Sequence, residues 1–146
     1  MAGYSDTTLL KKLGIKEGAR LTLVNAPDGF ARELGQFPKD AVQLSATAKD
    51  LDFILFFTTS VASLQKTFSK LAARLRPNGM IWISWPKKSS GVTTDLTFNN
   101  VQRIGLNAGL VDVKICAIND TWSGLKFVYR IQDRPQASSA KRSKRT

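Results

Sequence analysis

The chain has 146 residues, 42% of them hydrophobic and 23% charged, and these proportions are typical of a single soluble globular domain. Its one cysteine, Cys116, excludes an intramolecular disulfide, and the lack of histidine excludes every catalytic triad or zinc site that uses an imidazole. The formal net charge of +11 favours anionic partners but does not specify one.

The N-terminal third is predicted to contain two short helices and two strands. Sequence patterns place them, in chain order, at residues 5–13 (helix), 19–26 (strand), 30–35 (helix) and 42–46 (strand). Ser5 or Asp6 is the expected cap of the first helix, and Gly14 its end. The strand at 42–46 can be either parallel or antiparallel to the next strand. A parallel arrangement requires the link between them to run back the length of a strand, and this link reaches only about 20 Å.

Residues 51–91 are predicted to form a strand, a helix, a second strand and a basic loop. The runs 51–57 and 80–85 are apolar at nearly every position, as in strands covered on both faces of a parallel sheet. Between them, apolar residues recur at helical spacing, namely Val61, Leu64, Phe68, Leu71, Ala72 and Leu75. Ser60 is the expected N-cap, and residues 77–79 are the expected helix end.

The C-terminal part is predicted to add a helix, two strands and a tail. The helix starts at residues 93–95, where the helix dipole would favour the negative charge of Asp95, and ends at Gly109. Strands follow at 110–118, with Cys116 as a buried thiol, and at 125–131, whose alternating apolar and polar residues predict a half-exposed edge strand in an antiparallel hairpin. The basic composition of residues 134–146 predicts a disordered tail after a domain of residues 1–133.

The order of these elements over residues 51–132, with Arg76, Pro77 and Gly79 before the second strand, resembles the C-terminal half of class I S-adenosylmethionine-dependent methyltransferases. The resemblance implies an α/β fold of the three-layer, Rossmann-like kind, with a mostly parallel sheet that ends in an antiparallel hairpin strand. The N-terminal half departs from the pattern, since the sequence NAPDG at 25–29 replaces the glycine-rich loop and no acidic residue ends the second strand. We therefore expect S-adenosylmethionine to bind weakly or not at all.

The chain also resembles, over nearly its whole globular length, a family of small bacterial proteins that form a domain of unknown function. The segments that carry this resemblance are GYS and LxxKLGIK, LxNAPDGF, LDFILFF, WPKKSSGVTTDLT and GLVDVKICAINDTWSGL. It implies a methyltransferase-like Rossmann fold and no particular reaction.

Ligand-binding residues are expected where strands end at the carboxyl edge of the sheet, because ligands of open α/β sheets bind in crevices there. Lys87 and Lys88 offer charges for an anion, Asp28 or Asp120 accepts ligand hydroxyls, and a tryptophan covers a planar group. The full predicted set is Asn25, Asp28, Gly29, Trp85, Lys87, Lys88, Ser89, Asp120 and Trp122. The alternative is that these loops are ordinary tight turns, since Asn, Asp, Pro and Gly are common turn residues.

These patterns predict a binding domain for a small anionic or nucleotide-like ligand or a protein partner, and they establish no catalytic activity. One alternative is a methyltransferase with a degenerate cofactor loop, and another is a nucleic-acid-associated protein that uses its basic surface and tail. No catalytic residue and no metal site is predicted. We expect a cytoplasmic protein without membrane contact, since the chain lacks a signal core and any apolar run of about 18 residues.

Overall fold

The computed structural model describes residues 8–131 of the 146-residue chain. The predicted tail at 134–146 lies outside the described residues, as do Ser5 and Asp6. The prediction that Ser5 or Asp6 caps the first helix was wrong, because Thr8 is its N-cap and accepts a 3.3 Å hydrogen bond from the Lys11 N–H. Within 8–131, no helix is long and apolar enough to cross a membrane.

The described chain alternates strands and helices, broadly as the sequence predicts. In order, the elements are α1 (Leu9–Leu13), β1 (Arg20–Val24), α2 (Phe30–Leu34), β2 (Val42–Gln43), β3 (Leu51–Phe57), α3 (Val61–Ala72), β4 (Leu75–Pro86), a short 3-10 helix (Lys88–Ser90), α4 (Phe98–Asn107), β5 (Leu110–Ala117) and β6 (Trp122–Tyr129).

One six-stranded sheet of order β2-β1-β3-β4-β6-β5 organises the fold. The first four strands are parallel, and β6 runs antiparallel to both β4 and β5. The predicted α/β fold with a mostly parallel sheet and an antiparallel hairpin is therefore confirmed. The prediction that the strand over 125–131 is an edge strand was wrong. This strand is β6, which lies between β4 and β5, and the edge strand on that side of the sheet is β5.

The second strand, β2, runs parallel to β1, which answers the question that the sequence left open. Arg20 pairs with Val42, and Leu21 pairs with Gln43. Because β2 has only two residues, the short link that follows it has little distance to return before β3 begins.

Two hydrophobic clusters cover the two faces of the sheet and make it the middle of three layers. One cluster packs α3 and α4 on the sheet, and the other packs α1 and α2 on the opposite face. Trp82 is fully buried in the second cluster and donates a 2.8 Å hydrogen bond from its indole N–H to the Leu13 carbonyl. This bond holds the end of α1 against the centre of the sheet.

The segment predicted to end the central helix is instead part of a strand. The helix α3 begins after its predicted cap Ser60 and already ends at Ala72, and β4 starts at Leu75, beside Leu51 of β3. A Cβ at Gly79 would lie 2.9 Å from the Leu51 carbonyl oxygen. The glycine therefore permits the close approach of two strands rather than the left-handed turn that the sequence suggested.

The helix predicted to start at residues 93–95 begins later, at Phe98. Thr97 caps it in a capping box, in which the Thr97 side chain accepts from the Asn100 N–H and the Asn100 side chain accepts from the Thr97 N–H. The segment before Thr97 is consequently available to form part of the loop after β4.

Candidate functional site

The candidate site lies at the carboxyl edge of the sheet, where the chain order of the strands reverses between β1 and β3. After β1 the chain crosses to the face that α2 covers, and after β3 it crosses to the face that α3 covers. Ligands of open α/β sheets bind in the crevice that such a reversal leaves between the departing loops. The predicted site residues all lie at this edge or in the loops that leave it.

The loop after β1 lies at this edge of the sheet. Asn25 and Gly29 both have positive φ angles, of 59° and 84°, and Asn and Gly are the residues that adopt this conformation most readily. Apart from Gly29 and its two chain neighbours, no heavy atom of the described chain lies within 4 Å of the place where a Cβ of Gly29 would be. The side chains of Asn25 and Asp28 are exposed, so they and the open space at Gly29 can receive a ligand.

The turn after β3 lies next to this loop at the same edge, because β1 and β3 are neighbouring parallel strands, and the loop after β4 is bound to this turn. The Thr94 hydroxyl donates a 2.6 Å hydrogen bond to the Thr59 carbonyl. The carboxylate of Asp95 accepts a 2.8 Å bond from the Val61 N–H, at the first residue of α3. Asp95 was expected to support its own helix, but the later start of α4 leaves it at the N-terminus of α3 instead.

The loop that carries Lys87, Lys88 and Ser89 is anchored by its backbone. The Lys87 N–H donates a 2.8 Å bond to the Thr121 carbonyl, which joins this loop to the turn between β5 and β6. The Ser90 hydroxyl donates a 2.7 Å bond to the Lys87 carbonyl and closes the short 3-10 helix. Lys88 and Ser89 are exposed, and Lys87 is half-buried. Both lysine side chains therefore extend from a backbone that hydrogen bonds hold in place.

The turn between β5 and β6 is ordered by Asn119. Its side-chain oxygen accepts 2.9 Å bonds from the N–H groups of Thr121 and Trp122, while its side-chain N–H donates a 3.0 Å bond to the carboxylate of Glu33 on α2. This turn therefore contacts both α2 and the loop after β4. Asp120, at its tip, is exposed.

The two predicted tryptophans lie on opposite faces of the sheet. Trp122 is half-buried and packs edge-on against Phe57 at 5.1 Å between ring centroids, and Phe57 packs in the same way against Phe30 of α2 at 4.8 Å. Trp85 belongs to the cluster beneath α3 and α4 and is only 6% exposed. A single planar ligand therefore cannot be stacked on both rings.

A cavity of about 420 Å³ lies at this edge on the α4 face. Lys87 and Lys88 supply positive charge at its rim, while Phe98 and Ile115, which are 37% and 53% exposed, supply an apolar wall. The remaining lining residues are Trp85, Pro86, Leu96, Thr97, Asn99 and Ser123. The combination of cations with apolar surface suits an anion that has an apolar body.

The sequence interpretation grouped residues that the structure separates. No hydrogen bond within residues 8–131 joins Asn25 or Asp28 to Lys87 or Lys88. The two lysines line the cavity beside α4, and Asn25 and Asp28 do not. The loops after β4 and β5 do come together, through Lys87 and Thr121. The carboxyl edge thus contains a cationic cavity beside α4, and the exposed loop after β1 does not line it.

Sequence reasoning missed three residues at this edge. Phe98 and Ile115 were not predicted as site residues, because their exposure depends on how α4 packs over the sheet. Ser84 is fully buried, and its hydroxyl has no hydrogen-bond partner within the described chain. A signal for Ser84 was present, since it is the one polar residue in the apolar run 80–85.

The single thiol does not line the cavity. Cys116 lies in β5 and is half-buried rather than buried as predicted, because β5 is the exposed edge strand. Burial raises the pKa of the Cys116 thiol, and the nearby charges of Lys12 and Lys114 act in the opposite direction. The raised pKa keeps the thiol protonated at neutral pH, where it is a poor nucleophile. Within residues 8–131, no three His, Cys, Asp or Glu side chains are grouped as metal ligands.

No protein-family model matches the chain, and no curated protein matches it in sequence. Its fold is similar to that of a SAM-dependent methyltransferase from Aquifex aeolicus, with a TM-score of 0.57 and 15% identity over 82% of this chain and 86% of that one. Magnesium protoporphyrin IX methyltransferase from Synechocystis, crystallised with bound SAH, gives a TM-score of 0.54 and 8% identity over 84% of this chain and 78% of that one.

Aeropyrum pernix fibrillarin, with natively bound S-adenosyl-L-methionine, gives a TM-score of 0.54 and 12% identity over 80% of this chain and 69% of that one. Several structural neighbours are thus SAM-dependent methyltransferases, and the Rossmann-like fold implied by the resemblance is confirmed. At these identities the likeness establishes the fold alone. Membership in the family of small bacterial proteins stays a prediction.

Proposed function

We propose that the protein is an S-adenosylmethionine-dependent methyltransferase that acts on a small anionic molecule with an apolar part. The observation that carries this proposal is the match of 82% of the chain to a SAM-dependent methyltransferase, together with neighbours crystallised with SAH or with S-adenosylmethionine. The crevice between the ends of β1 and β3 supports it as a ligand site on topological grounds. This function was the alternative in the sequence analysis, and the fold favours it over a binding domain without catalysis.

The residues beside the crevice fit parts of S-adenosylmethionine. The Asn25 amide offers a donor and an acceptor, and the exposed Asp28 carboxylate offers an acceptor for amino or hydroxyl groups. Gly29 leaves open space for a ligand to approach the backbone. Leu44 and Ser45, which follow β2, bring no carboxylate for ribose hydroxyls. These residues can contact S-adenosylmethionine but offer few charged groups, so we expect a dissociation constant of tens of micromolar or higher.

The cavity beside α4 is the place proposed for the methyl acceptor. S-adenosylmethionine supplies, when bound, a methyl group activated by its sulfonium centre. Lys87 and Lys88 would hold an anionic group of the acceptor, and Phe98 and Ile115 would cover its apolar part. The ends of β1 and β4 are separated only by β3, which amounts to about 10 Å at ordinary strand spacing. Two ligands at these positions are therefore near enough to meet.

Calorimetry with S-adenosylmethionine and S-adenosylhomocysteine tests the cofactor site in the full chain. The variant Gly29→Asn places a side chain in the open space while keeping a residue that tolerates positive φ, and it should weaken binding at least tenfold. Gly18→Asn is the matched control, because Gly18 also has a positive φ of 73° and open surroundings but lies before β1, at the other edge of the sheet. If neither compound binds the wild type at millimolar concentration, the methyltransferase proposal is wrong.

A binding domain without catalysis is the second candidate, and one observation favours it. The loop after β1 has a single glycine, and no carboxylate immediately follows β2, whereas Lys87 and Lys88 line a cavity on an anchored loop. Mass spectrometry of the natively purified protein would identify a retained anion. Its stabilising effect should disappear in Lys87→Ala/Lys88→Ala and persist in Lys66→Ala/Lys70→Ala, which removes two exposed lysines from α3. Retention of the ligand by the first variant would exclude Lys87 and Lys88 as its binding residues.

A further inference from the structure

Four lysines converge on the face of the sheet that α1 covers, away from the α4 cavity. Lys12 is an exposed residue in the last turn of α1, and Lys16 lies in the segment that follows this helix. Lys114 of β5 and Lys126 of β6 are paired across the two strands. The Lys114 ammonium group donates a 3.1 Å hydrogen bond to the Lys12 carbonyl, near the end of α1. We call these four residues the lysine surface.

The lysine surface contains repulsion between like charges that the described chain does not neutralise. Within residues 8–131 the one ion pair joins Arg76 to Asp52, so no lysine of this surface has a carboxylate partner there. Burial lowers the pKa of Lys126, and the charges of Lys114 and Lys16 lower it further. Such crowding makes the folded state less stable, and an anion bound across the lysines would relieve it.

We infer that the lysine surface binds the phosphate backbone of a nucleic acid without reading its base sequence. Four ammonium groups drawn from α1, the segment after it, β5 and β6 offer several separate phosphate contacts. Lysine binds phosphate as a point charge, and these four lysines present no planar fork of the kind that reads a base edge. The sequence places further cations at residues 134, 141, 142, 144 and 145, shortly after β6.

This surface is independent of the proposed methyl-transfer site. The lysines lie on the α1 face and the cavity lies on the α4 face, so the sheet separates them. The amino-acid sequence alone indicates nucleic-acid contact through the tail and a basic surface in general. The structure adds the identity of the residues and their place on the fold.

Fluorescence anisotropy with a labelled 20-base-pair DNA duplex, between 50 and 200 mM KCl, tests the inference on the full chain. The variant Lys12→Gln/Lys16→Gln/Lys114→Gln/Lys126→Gln should bind at least tenfold more weakly at 50 mM. The slope of log affinity against log salt should shrink by about 3 to 4, since each phosphate contact contributes about 0.9. The control Lys39→Gln/Lys49→Gln/Lys66→Gln/Lys70→Gln removes the same charge from other exposed positions and should change the slope by less than about 1.

Three outcomes would overturn the inference. They are failure of the wild type to bind the duplex at 50 mM KCl, equal losses in both variants, and competition by polyglutamate as effective as competition by DNA at equal charge. The third outcome would assign the surface to an acidic protein instead. Circular dichroism checks that the variants fold, and if the first does not, Lys16→Gln/Lys126→Gln should show about half of its slope change.

Discussion

The carboxylate of Asp95 accepts a 2.8 Å hydrogen bond from the backbone N–H of Val61, the first residue of α3. This contact satisfies an N–H group at the start of a helix and places a negative charge at its positive end. It also fixes the loop after β4 against the turn after β3, beside the proposed cofactor crevice. One side chain thus links helix stability to the shape of the site.

Asp95→Ala should therefore lower the free energy of unfolding by about 1 kcal/mol, the usual cost of losing a helix-capping side chain. Urea denaturation measures this loss. Asp120→Ala is the control, since Asp120 is exposed at a turn and should have an effect of less than about 0.5 kcal/mol. Equal effects of the two substitutions would mean that the bond to Val61 adds nothing to stability.

Gly105→Ala should be among the most damaging substitutions in the chain. A Cβ at Gly105 of α4 would lie 2.0 Å from a ring carbon of the fully buried Phe127, so helix and sheet would have to separate. We expect a loss of about 3 kcal/mol or more in the free energy of unfolding. Asn107→Ala, at an exposed position of the same helix, should change it by less than about 0.5 kcal/mol. A wild-type melting temperature for Gly105→Ala would refute this packing.

Ser84→Ala should raise stability. The Ser84 hydroxyl is fully buried without a partner in the described chain, and an unsatisfied buried hydroxyl costs about 1–3 kcal/mol. Differential scanning calorimetry should show a melting temperature about 3 °C higher per kcal/mol recovered. Ser89→Ala, at an exposed loop serine, should leave it unchanged. A lower melting temperature for Ser84→Ala would indicate that a buried water satisfies the hydroxyl.

Tyr129→Phe should change how stability depends on alkaline pH. The Tyr129 hydroxyl donates a 2.8 Å bond to the Ala72 carbonyl, and burial raises the pKa of the phenol. The unfolded chain ionises this tyrosine near the ordinary pKa of about 10, before the folded chain does, so wild-type stability falls as the pH rises above about 10. The difference between wild type and variant should be about 1 kcal/mol at pH 8 and should shrink above pH 10.

Urea unfolding at pH 8, 10 and 11 on both proteins measures this difference directly. Other titrating groups are the same in both chains, so their contributions cancel. A difference that stays constant across the three pH values would exclude a raised pKa for Tyr129.

Much of the fold could be predicted because its strongest signals are local. The continuous apolar runs at 51–57 and 80–85 predicted buried parallel strands, and Ser60 predicted the start of α3. The sequence of Asn78 and Gly79 is typical of a turn, yet the glycine is needed where two backbones approach, which depends on a contact with a residue far away in the chain. The alternation of apolar and polar residues in the last strand indicated that the two faces of this strand differ. The same alternation contained no information on which strands pair with the last strand.

The site was predictable in location and less so in composition. Topology places loop residues such as Asn25 and Lys87 at one edge, because parallel strands all end there. The odd spacing between Trp82 and Trp85 already puts them on opposite faces of one strand, so the burial of Trp85 under α4 could have been inferred. The apolar wall of Phe98 and Ile115 could not, since it forms only when α4 packs beside β5.

The edge strand β5 has a register shift between Asp112 and Lys114, with the exposed Val113 at the irregular position. A regular eight-residue edge would present one unbroken row of backbone donors and acceptors, to which a second copy of the sheet could add. The irregularity divides that row into two shorter runs, and the charge of Lys114 stands beside it. The protein can therefore leave apolar residues exposed on this strand while discouraging the joining of sheets into aggregates.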